Sequence, residues 1–152
     1  MCIIVDANCA HDLSNATDDG KPVLRWLLNP KRRSGLILGG KLATELARAG
    51  LLSTLSVLKQ ANRLHRISDS VLNRCEEELV AQGTCKSNDI HVVALTLITG
   101  CTLVFTRDKP LHADLKRHSA PGRRIAIYQT SSHARLLNEC SCIREGKAPD
   151  AA

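Results

Sequence analysis

The chain has 152 residues, of which 43% are hydrophobic and 24% are charged, so it suits one globular domain and is not wholly disordered. Its 21 Lys and Arg exceed its 15 Asp and Glu, and the formal net charge of +6 favours polyanionic partners, with nucleic acid ahead of anionic membrane. With one Trp, one Tyr and one Phe, the chain lacks the rings on which single-strand binders stack bases. Phosphate contacts and a reactive site must hold a nucleic acid instead.

The first half of the chain alternates short apolar runs with helical patterns. Cys2 to Val5 is apolar and partly β-branched and stops at Asp6, which is typical of a strand buried on both faces. The other elements predicted before residue 84 are a helix over 22–28, a strand over 36–38, a helix from about residue 41 that Gly50 interrupts, and a helix that Ser68 caps and Gly83 ends. The last helix should turn Val71, Cys75 and Leu79 inward.

The second half contains the clearest helical pattern, between Ser87 and Gly100. Its apolar residues recur at i, i+3, i+4, i+7 and i+8 and are expected to face the core: Ile90, Val93, Ala94, Leu97 and Ile98. The elements predicted after it are a buried strand over 101–105, a helix from Pro110 to about residue 116, a strand over 125–128 and a short helix over 133–138. The domain should span 1–143, and 144–152 should form a flexible tail.

Strands separated by helices predict right-handed β-α-β units. The expected fold is therefore a three-layer α/β/α sandwich with a central parallel sheet of four to five strands. In such sheets ligands bind at the carboxyl ends of the strands, where Asp6 and Asp108 are predicted to lie.

Cysteine usage and hydropathy indicate a cytoplasmic protein. The seven cysteines are irregularly spaced and the closest pair, Cys140 and Cys142, lacks zinc-type spacing, which predicts reduced thiols. The N-terminus reaches a charge at Asp6, so we expect no signal peptide. No apolar stretch approaches the roughly 20 residues that span a bilayer, so we expect no membrane association.

Four acids stand out by position: Asp6, Glu45, Asp89 and Asp108. Glu45 shares a helical face with Leu42 and Leu46, where an ionised group is costly unless a cation or hydrogen bonds compensate it. Taken singly, each acid has a structural explanation as a helix cap, a partner of a helix dipole or an ion pair. Together at one sheet edge, carboxylates repel one another, and a hard divalent cation such as Mg²⁺ or Mn²⁺ relieves the repulsion.

The motifs that carry these acids, in chain order, are Val5-Asp6-Ala7-Asn8, Lys41-Leu-Ala-Thr-Glu45-Leu46, Ser87-Asn-Asp89-Ile-His-Val-Val-Ala-Leu95 and Leu103-Val-Phe-Thr106-Arg-Asp108. This ordered set resembles the PIN-domain nucleases, best seen in the single-domain toxins of bacterial toxin–antitoxin pairs, over roughly residues 2 to 130. The resemblance implies a Mg²⁺- or Mn²⁺-dependent endoribonuclease whose four acids hold the metal, with Asn8 and Thr106 as polar supporters. It also implies an antitoxin partner and a homodimer.

Basic residues provide candidate phosphate contacts, which are independent of nucleotide sequence and sensitive to salt. The candidates are Lys31, Arg32, Arg33, Arg107, Lys109, Lys116, Arg117, Arg123 and Arg124. His91 and His112 lie near the acids in sequence, but a lone histidine is more often a core or surface residue, and we leave both outside the metal set.

Two other interpretations compete with this one. Arg107 and His112 match the Arg-x4-His spacing of the HEPN-type ribonucleases, which need no metal. That chemistry needs both residues on one continuous helix, and because the motif begins at a strand end and contains Pro110 we expect the match to be accidental. The second is a PIN-like scaffold that binds RNA or a protein without catalysis. A PIN nuclease could also serve RNA processing, repair or phage defence instead of a toxin–antitoxin pair.

Overall fold

The central sheet has five strands, all paired in parallel in the order β3-β2-β1-β4-β5. The structure is a computed structural model and describes residues 1–119 and 122–139. The strands are β1 Cys2–Val5, β2 Gly35–Gly39, β3 Leu64–Ile67, β4 Leu103–Phe105 and β5 Ala126–Tyr128. β1 lies in the middle and is buried along its whole length, as its apolar run predicts.

Helices join successive strands and pack against the sheet. They are α1 Ala10–Ser14, α2 Lys21–Leu28, α3 Gly40–Leu46, α4 Leu52–Gln60, α5 Asp69–Gln82, α6 Ile90–Thr99 and α7 Lys109–His118. A wide π turn, Ala47–Leu51, links α3 to α4 around Gly50, whose φ of 90° explains the predicted interruption. The predicted α/β sandwich with a parallel sheet of four to five strands is confirmed.

Strand β3 was not among the predicted elements. It is an edge strand, and of its four residues only Ile67 is buried, while Arg66 is exposed. An edge strand with polar side chains lacks the apolar run or strict alternation by which a strand is read from sequence.

Two helices depart from their predicted inward faces at one residue each. In α5, Leu79 is buried and Cys75 is partly buried, as predicted, but Val71 is 47% exposed and its neighbour Leu72 is buried instead. In α6, Leu97 is 38% exposed, whereas residues 91–96 are all buried. α6 packs against α3, α5, α7 and the sheet, and a helix enclosed on several sides does not bury a single stripe.

Among the described cysteines, the prediction of reduced thiols fails at Cys2, which is disulfide-bonded. Cys9, Cys75 and Cys85 are free thiols. Cys140, Cys142 and the predicted tail over 144–152 lie outside the described residues. In the described part of the chain, no helix is both long and apolar enough to cross a membrane.

Candidate active site

The carboxyl edge of the sheet gathers three aspartates at the starts of helical segments. Asp6 follows β1, and its backbone N–H donates to the carbonyl of Phe105, the last residue of the adjacent β4, at 2.9 Å. Asp108 follows β4 and precedes α7, and Asp89 precedes α6. All three hold the N-cap position, yet within the described residues the side chains of Asp89 and Asp108 make no capping hydrogen bond. The capping explanation therefore fails for these two acids, whereas the carboxylate of Asp6 accepts the backbone N–H of Asn8 in the segment that follows it.

Thr106 ties two of the acids together. Its hydroxyl donates to Asp6 Oδ2 at 2.8 Å and accepts the backbone N–H of Asp108 at 3.1 Å, and both Thr106 and Asp6 are almost fully buried. Burial raises the pKa of Asp6, partly offset by hydrogen bonds from Thr106 and from the Asn8 backbone, while the charge of Asp108 raises it further. Asn8 thus supports Asp6 through its backbone, and its side chain is exposed.

The pKa of Asp89 responds to the charges of the other three acids, which therefore lie near it. The pKa of Asp89 is raised to about 6, first by burial and then by the nearby charge of Asp6. A hydrogen bond to Asp108, which favours the protonated form of Asp89, and the charges of Asp108 and Glu45 contribute to the same rise. Like charges shift one another in this way only at short range. We call Asp6, Glu45, Asp89 and Asp108 the acid cluster.

Glu45 reaches the cluster from α3 and is compensated in part. Its Oε1 lies 3.6 Å from Lys41 Nζ one helical turn earlier, and its Oε2 lies 3.4 Å from His91 Nε2. The side chain of Glu45 is 28% exposed, so the carboxylate is only partly removed from water. Glu45 therefore does form an ion pair, and its partner is a lysine.

His91, which the sequence left outside the site, is part of its wall. The residue is 3% exposed, and Nε2 has no properly aligned hydrogen-bond partner in the described residues. Its approach to Glu45 lies within ion-pair distance but is not oriented as a hydrogen bond. A buried polar nitrogen with no aligned partner is costly, and this one is aimed at the acid cluster.

Asp114 is a buried acid that sequence reasoning missed. Its carboxylate accepts the backbone N–H of Lys86 at 2.9 and 3.1 Å and that of Ser87 at 2.8 Å. Burial pushes the pKa of Asp114 upward, but these hydrogen bonds outweigh it and the pKa is lowered. Asp114 lies on the face of α7 that buries Leu111 and Leu115. An acid on an apolar stripe is the same signal that singled out Glu45.

The 84–88 segment uses these contacts to carry Asp89 to the cluster. Residues later in the segment are hydrogen-bonded to residues earlier in α7. The Thr84 carbonyl accepts from Arg117, the Ser87 N–H donates to Asp114, and Asp89 is hydrogen-bonded to Asp108. The segment therefore runs antiparallel to α7. Asp89 and Asp108 are brought together because the 84–88 segment is hydrogen-bonded to α7 at more than one point along the helix.

Most of the predicted phosphate contacts lie away from the acid cluster. Residues 31–33 precede β2 at the amino end of the sheet, about 15 Å from its carboxyl edge at 3.3 Å per strand residue. Lys116 and Arg117 lie near the far end of α7, roughly 12–14 Å from Asp108 at 1.5 Å per helical residue. Lys109, next to Asp108, and Lys41, which was not predicted, lie beside the acids.

The three remaining candidates, all arginines, differ in their surroundings. Arg107 forms ion pairs with Asp12 at 2.7 Å and Asp19 at 3.2 Å, so two carboxylates already neutralise its charge. Arg123 donates to the carbonyl of Gly100, and Arg124 is exposed.

The Arg107 and His112 pair does not have HEPN geometry. Arg107 precedes α7, whereas His112 lies within that helix with Nε2 3.1 Å from the Thr106 carbonyl. The two residues therefore do not share one continuous helix, which that metal-free chemistry requires. The expectation that the spacing is accidental agrees with this arrangement.

The acid cluster suits a hard divalent cation by chemistry, but it is not a preformed cage. Its donors are carboxylate oxygens, the type that Mg²⁺ and Mn²⁺ prefer. Among the described residues, no group of three or more His, Cys, Asp or Glu side chains is arranged to hold a metal ion. The charge effects on Asp89 need only proximity, whereas ligation of Mg²⁺ needs oxygens about 2.1 Å from one point. The carboxylates are thus gathered but not preorganised.

Comparisons of the chain with protein-family models, with characterised proteins and with solved structures find no match. Functional inference for this chain depends on the geometry of its own acid cluster.

Proposed function

We propose that the protein is a metal-dependent endoribonuclease of PIN-like architecture that hydrolyses RNA phosphodiester bonds. The observation that carries the proposal is the convergence of four carboxylates from separate chain segments at the carboxyl edge of a parallel sheet. Neither Asp89 nor Asp108 makes a side-chain capping hydrogen bond in the described structure. Carboxylates that are held close together although they repel one another suit a cation site.

Mg²⁺ or Mn²⁺ is the proposed cofactor, held by Asp6, Glu45, Asp89 and Asp108. A divalent ion at such a site activates water and neutralises charge that develops on the cleaved phosphodiester. Thr106 would keep the Asp6 carboxylate in place, and the Asn8 backbone N–H would support the same carboxylate. The buried Nε2 of His91, aimed at Glu45, is independent support for a ligand in the cluster.

RNA is the proposed substrate class because of the net charge of +6 and the resemblance in motif order. The resemblance further favours a cytoplasmic toxin of a toxin–antitoxin pair that forms a homodimer and is covered at the acid cluster by an antitoxin. RNA processing, repair or phage defence are the alternative settings for the same chemistry. Growth arrest on expression, relieved by Asp89→Asn, would favour the toxin.

The first test is cleavage of labelled single-stranded RNA by the full-length chain in Mn²⁺ or Mg²⁺. We expect cleavage that EDTA stops, that Asp6→Asn and Asp89→Asn abolish, and that leaves 5′-phosphate ends. Asp18→Asn is a matched control because the Asp18 side chain is fully exposed and lies outside the cluster. Cleavage that persists in EDTA, or that survives Asp6→Asn and Asp89→Asn, would contradict the proposal.

One observation favours a second candidate, a catalytically silent module that binds RNA or a protein. The described side chains do not form a ready group of three metal ligands. Calorimetric titration with Mn²⁺ separates the two candidates. Binding that Asp89→Asn removes supports the nuclease, whereas RNA binding without Mn²⁺ binding supports the silent module.

A further inference from the structure

We propose that His91 is a positioning residue that holds the Glu45 carboxylate in the acid cluster through its Nε2–H. The inference rests on the proposed metal site and adds a residue from α6 to it. His91 is 3% exposed, and its Nε2 lies 3.4 Å from Glu45 Oε2. The Glu45 charge also acts on Asp89, so His91, Glu45 and Asp89 form a continuous series of neighbours.

Two groups hold Glu45, and they differ in rigidity. Lys41 lies on the same helix, its side chain is 59% exposed, and a flexible ammonium at 3.6 Å in water restrains a carboxylate weakly. His91 is enclosed by the core, and its ring cannot follow Glu45 into solvent. Without His91, the remaining charged partner would draw Glu45 toward the surface and away from Asp89.

Packing alone does not account for a histidine at this position. Residues 91–96 of α6 are all buried, and the others are Val92, Val93, Ala94, Leu95 and Thr96. The Thr96 hydroxyl donates to the carbonyl of Val93 at 2.7 Å, whereas His91 Nε2 has no aligned bond to the described residues. An apolar ring of similar size would fill the space without burying a polar nitrogen.

The role requires the tautomer with the proton on Nε2, which can donate to a Glu45 oxygen after a small change of angle. In known metal sites, residues that orient a ligand in this way change metal affinity by about 10- to 100-fold when they are replaced. We therefore expect an effect of His91 on metal affinity that passes through Glu45.

The test is a double-mutant cycle on Mn²⁺ affinity, measured by calorimetry with the full-length chain and without RNA. His91→Phe keeps an aromatic ring and removes the donor, so we expect affinity to fall about tenfold. His91→Gln places an amide N–H near the position of Nε2 and should stay closer to wild type. In the Glu45→Gln background, His91→Phe should cause no further loss, because the group that His91 positions has lost its charge.

Each outcome of the cycle decides the proposal. An equal loss from His91→Phe in both backgrounds, or wild-type affinity in His91→Phe, overturns the positioning role. If His91→Phe does not fold, as judged by thermal unfolding, His91→Asn replaces it, since the shorter amide cannot reach Glu45. Wild-type protein that binds no Mn²⁺ overturns the metal site itself. Binding that Asp89→Asn removes and His91→Phe leaves intact overturns only the role of His91.

Discussion

At the scale of single residues, the site depends on a hydroxyl that serves two acids. Thr106 donates to Asp6 and accepts from the backbone N–H of Asp108, and it is fully buried where β4 ends. A hydroxyl can donate one hydrogen bond and accept another through the same oxygen. The position of Asp6 relative to Asp108 is therefore set by one side chain between them.

Replacing Thr106 tests this arrangement. Thr106→Val keeps the shape but leaves the Asp6 carboxylate without its donor and the Asp108 N–H without its acceptor. A hydrogen bond to a charged group contributes about 1.5–3 kcal/mol, so kcat/KM for RNA cleavage should fall roughly 10- to 150-fold. Thr106→Ser retains the hydroxyl and should keep most of the activity. Equal rates for the valine and serine variants would show that the hydroxyl has no such role.

At the scale of elements, the 84–88 segment and α7 form one unit that sets the distance between Asp89 and Asp108. The buried Asp114 carboxylate holds the segment by accepting two backbone N–H groups, those of Lys86 and Ser87. Because one carboxylate serves two donors of the same segment, its loss releases both at once. We infer that the separation of Asp89 from Asp108 depends on Asp114.

Asp114→Asn should destabilise the fold and weaken the metal site together. One amide nitrogen would face backbone N–H groups that need an acceptor, and the free energy of unfolding should fall by about 1–3 kcal/mol. Urea unfolding and Mn²⁺ titration measure the two effects. A stable variant with unchanged Mn²⁺ affinity would contradict the role of Asp114.

The stabilisation that Asp114 provides should depend on pH. The pKa of Asp114 is lowered in the folded protein, so its ionised form contributes stability above the pKa it has when unfolded. That contribution is lost as the pH falls through the lower, folded pKa. The stability difference between wild type and Asp114→Asn should thus be full at pH 7 and shrink in acid, below the ordinary range of aspartate. A constant difference from pH 7 to pH 2 would exclude this account.

At the scale of the whole molecule, the positive charge is spread over both ends of the sheet, whereas the acid cluster lies at one end. Lys109 is exposed beside Asp108, and Lys31 is exposed in the loop before β2 at the amino edge. A strand of RNA bound at the cluster would pass Lys109, while Lys31 lies across the molecule. Net charge alone would treat the two lysines as equal.

Matched substitutions separate position from net charge. Lys109→Gln and Lys31→Gln each remove one charge, and RNA affinity can be measured in EDTA so that the strand stays intact. We expect Lys109→Gln to weaken binding and to reduce the slope of log K against log salt by about 0.7, the value for one contact with a single strand. Lys31→Gln should leave both nearly unchanged. Equal effects would mean that the chain binds RNA through net charge without a defined path.

The sequence by itself determined the layered architecture and the four acids. β1, β2 and β4 are apolar runs that end at polar residues or glycine. Such runs can be recognised in the sequence because a strand buried on both faces needs apolar side chains on both. Asp6 and Asp108 follow strands in sequence, and parallel strands bring their carboxyl ends to one edge, so their proximity could be predicted from local patterns.

Only the tertiary structure decided which other residues belong to the site. His91 lies two residues after Asp89, yet its contact with Glu45 joins α6 to α3, and no periodicity within α6 encodes it. Asp114 shares its face with Leu111 and Leu115, but its partners in the 84–88 segment are 27 and 28 residues away. Residues 31–33 form a basic run that suggested phosphate binding, but they precede β2 and so lie at the edge of the sheet opposite the acid cluster. The spacing of apolar residues within an element predicts which of its faces is buried. Contacts between elements depend on how the whole chain packs in three dimensions.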